Sequence, residues 1–368
     1  MTALVGVRVL DLSKLLPGGY CGMLLADLGA EVIKVEDPAG GDPVRYFQPQ
    51  REGMSYWHLA LNRNKKSMTL DFRSSEGRQV LLELVKEADV LLESFRPGLM
   101  AKLGLSFEEL AKVNPRLIYC SISGLGGDEE APAHDINIAG LAGIDPSEYY
   151  QEQRIPLTGI AGATHGALGI VSALYQRTVS GKGQKVDISL LRSAFALKVP
   201  EFSNLLGEKE TGVPLYPAVM PNYRTYRTKD DRYIAVGTFE EKFWNRLCEL
   251  IDFPEGKEKM TNPSKREELT QKMEDIFAEK SLAEWNQLLG SAGICVTPVQ
   301  TLAEAMENNT MAECGMMIEL SDEKIGNYFQ IGSPIHFSEA PSKIPLRAPF
   351  LGEHNEEFLD FESERLQK

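Results

Sequence analysis

A histidine and an aspartate stand side by side in AHDINIAG, at His134 and Asp135, in a chain of 368 residues with only five histidines. Imidazole changes protonation near neutral pH, so a histidine with a carboxylate beside it can take a proton from carbon or return one. The same residues permit a plainer role: a polar loop position at His134 and, at Asp135, a cap on the next helix. Two basic stretches suggest a second chemistry. LNRNKKSMTLD (61–71) gathers Arg63, Lys65 and Lys66 between a helix end and a strand, and ESFRPGLMAKLG (93–104) sets Arg96 after an apolar strand, with Pro97 and Gly98 opening the next helix. Forked arginine donors and mobile lysine charges suit phosphate oxygens, and a strand end beside a helix start is a good anion position. A solvated turn would use the same residue types.

The elements that must position these groups alternate regularly. VGVRVLDL (5–12), EVIKVE (31–36), DVLLESF (89–95), LIYCSISG (117–124) and KVDIS (185–189) are short, β-branched, largely apolar runs that read as buried strands. Between them LPGGYCGMLLADLGA, EGRQVLLELVKEA, SFEELAKVNP and THGALGIVSALYQRT read as helices, the last with enough Gly and Ala for close packing. Such alternation predicts an open α/β sheet whose ligands gather at the strand C-termini. YRTYRTKDDRYIAVG (223–237) reads as an antiparallel hairpin, followed by three helices with capping-box spacing at Thr238/Glu241, Ser264/Glu267 and Ser281/Glu284. The expected organisation is a large domain over 1–200, a linker over 201–222, a small α+β domain over 223–310 and a segment, 311–368, that returns to the large domain.

Composition narrows the partners. The formal charge of −14 would repel a phosphate backbone, which argues against nucleic acid. Five scattered cysteines without a CxxC pair point away from disulfides and zinc, and no motif signals a redox cofactor. The start, MTALVGVRVLDLS, has no signal-peptide pattern, and no segment reads as ~20 apolar residues, so a cytoplasmic protein without a membrane partner is expected.

Taken in order, LADLGAEVIKVEDPAGGDPVR, LNRNKKSMTLDF, ADVLLESFRPGLMAKLGL, NPRLIYCSISGLG, HDINIAG and SGKGQKVDISLL resemble the family III CoA-transferases and their relatives, the α-methylacyl-CoA racemases. The resemblance implies a Rossmann-like large domain built from both chain ends, a small domain between them, and two subunits interlocked like links of a chain. It implies an acyl-CoA thioester as substrate, so that coenzyme A is the ligand, and a homodimer or a hetero-oligomer with a related subunit. It makes Arg63, Lys65 and Arg96 candidates for the CoA phosphates, with Asp42 and Arg45 in the same region.

On the racemase side, AHDINI matches the motif of the proton-carrying histidine, His134, and GTFEEKF matches that of the glutamate that steadies it, Glu240. Asp135 is the neighbour that could orient His134. Proton removal would give a thioester enolate, with main-chain N–H groups at Asp135–Asn137 as expected donors. The resemblance also implies an acid shortly before THGALGIVSALYQR, the transferase nucleophile or second racemase base. Counting back from Arg177 it falls on Gly159, or on Thr158 if the register shifts by one. Neither is a carboxylate. Asp145, Glu148 and His165 are nearby replacements, each with an ordinary surface or helix-start explanation, and Arg192 stands where relatives often carry an acid. Proton transfer at the α-carbon through His134 is the leading expectation. The alternatives are a CoA-transferase with a displaced nucleophile and a non-catalytic CoA-binding partner subunit. YYQ (149–151), LYPAVMPNY (215–223) and MMIEL (316–320) could line an acyl pocket, or pack a core or dimer interface.

Overall fold

The computed structural model describes residues 1–127, 131–149, 155–213, 220–259, 263–340 and 345–358. By contacts the chain divides into two compact units, residues 1–199 with 312–368, and residues 200–311.

The first unit is built on a six-stranded parallel sheet. Its strands are β1 (Arg8–Asp11), β2 (Glu31–Glu36), β3 (Lys66–Thr69), β4 (Val90–Glu93), β5 (Ile118–Ser123) and β6 (Lys185–Ser189). They lie in the order β3-β2-β1-β4-β5-β6, the doubly wound Rossmann order, which reverses between β1 and β4. Central strands are buried on both faces, which is why they read as nearly continuous apolar runs. Their side chains alternate between two cores. Val9, Val32, Val90, Leu92, Ile118 and Cys120 pack with helices α1 (Leu15–Asp27) and α5 (Leu157–Ser180). Leu10, Ile33, Leu91 and Tyr119 pack with α2 (Ser75–Lys86) and α3 (Phe107–Val113). Two short helices, α4 (Asp135–Leu141) and α6 (Leu190–Ala196), form a smaller cluster through Ile138, Ala142 and Ala194.

Helix α5 is 24 residues long and apolar enough, by length and composition, to cross a bilayer. That differs from the expectation that no segment reads so. Half of its most apolar stretch is nevertheless buried, in the core beside α1. Its small residues permit the approach: a Cβ on Gly166 would lie 3.2 Å from Cys21 Sγ of α1.

The C-terminal segment is joined to this unit by the basic stretch 61–71. Arg63 donates to Asp27, at the end of α1, and to the carbonyl of Ile331. Asn64 accepts from Leu346 N, and Lys66 pairs with Glu31 and Glu357. The segment contributes an antiparallel hairpin, β10 (Met317–Asp322) and β11 (Gly326–Ile331), whose Ile325 and Tyr328 pack with Met54, Leu59 and Ala348.

In the second unit, β8 (Tyr233–Gly237) lies between β7 (Tyr223–Arg227) and β9 (Val296–Pro298), all antiparallel. Helices α7 (Glu241–Leu250), α8 (Arg266–Phe277) and α9 (Leu282–Leu289) enclose Tyr226, Trp244, Phe277 and Trp285 against this sheet. Of the three expected capping boxes only Ser281/Glu284 forms. Thr238 is buried and its hydroxyl donates to Asn222 O, so Glu240 takes the N-cap position of α7. Ser264 sits in a 3-10 turn, and Lys265 starts α8. The span expected as linker contains most of a helix, Val199–Thr211.

Candidate active site

Parallel strands deliver their C-terminal loops to one edge of a sheet, and a crevice opens where the strand order reverses. In the first unit a cleft of about 610 Å³ lies at those ends. It is lined by Lys14–Pro17 after β1, Ser94–Pro97 after β4, Ser123–Leu125 after β5, and Ala131–Asp135 with Gly159. That volume suits a small-molecule ligand.

The lip after β1 is held by buried charges. Lys34 is fully enclosed; it donates to Ser13 O at 2.9 Å and pairs with Asp42 at 3.0 Å. Asp42 in turn accepts from Leu15 N. Leu15 has φ of 61°, a left-handed conformation that a leucine adopts only when its surroundings enforce it. Burial alone would push the Asp42 carboxyl up, but the Lys34 ammonium and the N–H donors outweigh it and hold it below the usual range. Lys34 itself is shifted upward: Asp11, Asp42 and Glu36 together overcome its desolvation.

Most residues expected at the CoA site, or in its region, have partners within the chain. Asp42 anchors the cleft lip. Arg45 forks onto Glu36 and donates to Pro349 O, tying in the C-terminal segment. Glu36 is held at about 2; burial opposes this, and the Arg45 hydrogen bond and the Lys34 charge prevail. Arg63 is 2% exposed and engaged with Asp27 and Ile331. Lys65 is buried, pairing with Asp11 at 2.9 Å and donating to Gly19 O at 2.9 Å. Its desolvation outweighs the attraction of Asp11 and lowers its pKa. These pairings keep the buried charges compensated. Arg96 is the exception: it is exposed and lines the cleft.

The proton-transfer candidates meet at the other wall. His134 is exposed at the N-cap of α4, with extended backbone angles (φ −109°, ψ 172°), and its N–H donates to Asn137 Oδ1 at 3.1 Å. His134 and Asp135 both line the cleft. Asp135 Oδ1 accepts from Thr158 Oγ1 at 2.6 Å and from Gly159 N at 2.8 Å. Asp135 thus reaches the start of α5, where the acid was expected, and its Oδ2 is buried without a hydrogen-bond partner among the described residues. A Cβ on Gly159 would lie 2.7 Å from Leu16 Cδ2, so a side chain there would require the end of Leu16 to shift. Of the expected enolate donors, Asn137 N–H is engaged with His134 O.

The other candidates lie elsewhere. Glu240 belongs to the second unit, exposed at the N-cap of α7. Asp145 is exposed and accepts from Ser147 N and Oγ, as a turn cap does; those hydrogen bonds lower its pKa. His165 is partly buried within α5 and is not among the cleft-lining residues, and Arg192 pairs with Asp187. The Glu148 and Tyr149 side chains, and most of 215–223, lie outside the described residues, while MMIEL enters the hairpin strand β10. Among the described residues no cluster of three or more His, Cys, Asp or Glu is arranged to hold a metal. Sequence reasoning missed Lys34 and Leu16. A lysine within a buried strand was the available signal for Lys34; nothing local singles out Leu16.

The sequence profile of CoA-transferase family III matches residues 4–355. The chain is 35% identical over 375 residues to the α-methylacyl-CoA racemase of Homo sapiens, covering 97% of this chain and 93% of the relative. It is 32% identical to the formyl-CoA:oxalate CoA-transferase of Rhodopseudomonas palustris (strain BisB18), over 97% and 92%. A crystal structure of a CAIB/BAIF family protein from Brucella suis superimposes with a TM-score of 0.82 at 30% identity, covering 99% of both chains. The chain belongs to CoA-transferase family III.

Proposed function

We propose that the protein is an acyl-CoA enzyme that moves a proton at the α-carbon of a thioester, with His134 as a proton carrier and Arg96 receiving a CoA phosphate. The single observation that carries this reading is the meeting of His134, Asp135 and Arg96 along one cleft at the switch point of the sheet. A thioester acidifies its α-carbon because the carbanion delocalises into the carbonyl, and a positioned imidazole accelerates such a transfer by ~10²–10⁴-fold. The 35% identity to a racemase supports this chemistry. An anhydride-forming nucleophile is the weaker reading: residue 159 is glycine, and Asp145 is engaged with Ser147.

The oligomer is part of the same proposal. Leu168, Tyr175 and Val179 are exposed on α5 at seven- and four-residue spacing, which makes one apolar stripe suited to a second copy of the chain. The test of activity is incubation with several 2-methylacyl-CoA thioesters in deuterated water. The expected result is α-deuterium incorporation; its absence across all of them would overturn the proposal.

A further inference from the structure

We infer that Asp42 is a positioning residue for the ligand of this cleft: its carboxylate ties together two cleft-lining segments of main chain and fixes them before the ligand arrives. The inference rests on the reading of the cleft as the acyl-CoA site.

The geometry of one buried carboxylate carries it. Asp42 Oδ1 accepts from Leu15 N and from Val44 N, each at 3.1 Å, and Oδ2 accepts from Leu15 N at 3.2 Å. Leu15, with Leu16 and Pro17 after it, lines the cleft from the end of β1; Val44 and Phe47 line it from the 3-10 turn Pro43–Tyr46 that Asp42 caps. Asp42 is itself held from two further directions. Its N–H donates to Glu36 Oε1 at 3.1 Å, and Oδ2 meets the Lys34 ammonium at 3.0 Å, both partners buried. On the β4 side, Lys14 N donates to Ser94 Oγ at 2.9 Å, so the turn is gripped on either side of the Lys14–Leu15 peptide.

The grip has a conformational task. Leu15 stands at φ of 61°, which a leucine keeps only under constraint, and the Asp42 carboxylate on its N–H is that constraint. Without the acceptor, Leu15 would relax toward the right-handed region, and a ligand would have to reimpose the turn at the expense of its affinity. The charges around Asp42 make the role separable from folding. Three buried pairs lie together, Lys34–Asp42, Lys65–Asp11 and Arg45–Glu36, so Lys34 and Asp42 can be replaced jointly and leave the other two pairs matched.

The test compares Lys34→Met/Asp42→Asn with Lys34→Met/Asp42→Ala. Both lack the ion pair and the Lys34 donation to Ser13 O; the asparagine alone retains a side-chain oxygen to accept from Leu15 N or Val44 N. Calorimetric titration with coenzyme A, which needs no turnover, should show the alanine variant binding about tenfold more weakly than the asparagine variant. In α-deuterium exchange from a 2-methylacyl-CoA the same factor should fall on KM rather than kcat. Equal affinities for coenzyme A in the two variants, with wild type binding it, overturn the inference and leave the acyl-CoA reading intact. Failure of wild type to bind coenzyme A removes that reading and the inference with it. Amide hydrogen exchange of unliganded wild type keeps the test open if the alanine variant does not fold: Leu15 N–H should exchange about a hundredfold or more slowly than an open-loop amide, and exchange at the open-loop rate overturns the inference.

Discussion

Asp135 Oδ1 accepts a hydrogen bond from Gly159 N at 2.8 Å, joining the start of α4 to the start of α5 across the wall of the cleft. Leu16 packs over the same glycine. Gly159→Asp alone should therefore destabilise the protein through overpacking, by ~1–3 kcal/mol, and Leu16→Ala in the same chain should recover part of that loss. Urea denaturation of the two single variants and the double variant measures the coupling; strict additivity would show that Leu16 does not occupy the position.

The two arginines once equivalent as phosphate ligands should behave differently. Arg96→Gln should raise KM for acyl-CoA on the order of tenfold or more, with an unchanged melting temperature, because a charge-assisted hydrogen bond to an exposed ligand is lost. Arg63→Met should leave Asp27 as an uncompensated buried charge and cost ~3–5 kcal/mol of stability, with little effect on KM of the folded fraction. Steady-state kinetics beside thermal melts distinguishes the two.

A pH dependence follows from His58. Burial, reinforced by the Arg45 charge, lowers its pKa to about 3, and it is held neutral between Pro349 O and the Asn62 side chain. An unfolded histidine titrates near ~6.5. Between those values the unfolded chain binds a proton that the folded chain refuses, so the contribution is complete above ~6.5 and is lost as pH falls toward 3. Urea midpoints measured from pH 7 to 4.5 should fall for wild type, with up to ~1.4 kcal/mol per pH unit from this group, and more shallowly for His58→Gln.

The apolar stripe on α5 predicts association. Wild type should elute and scatter light as a dimer, and Tyr175→Glu with Val179→Lys should shift it toward monomer without loss of helical signal. A monomeric wild type at micromolar concentration would refute the assignment of this face.

The sheet was legible because a strand buried on both faces has a distinctive apolar run, and the helices between strands could be placed by their own periodicity. His134 was legible as a candidate through its rarity and its aspartate neighbour. The pairings of Arg45, Arg63 and Lys65 were not, because a basic residue looks the same in sequence whether its acidic partner is a ligand or a carboxylate distant in the chain. Arg63 meets Asp27 from 36 positions away, and the hairpin carbonyl of Ile331 from 268 away. The failed capping boxes have a local lesson: spacing identifies Thr238 as a cap, but burial against Asn222 assigns its hydroxyl elsewhere.

The most direct measurement of the central claim is a crystal structure with a bound, non-reacting thioether analogue of a 2-methylacyl-CoA. The account predicts a CoA phosphate at Arg96 and the α-carbon within ~3.5 Å of the His134 imidazole. An acyl group bound away from His134, with phosphates that bypass Arg96, would contradict it.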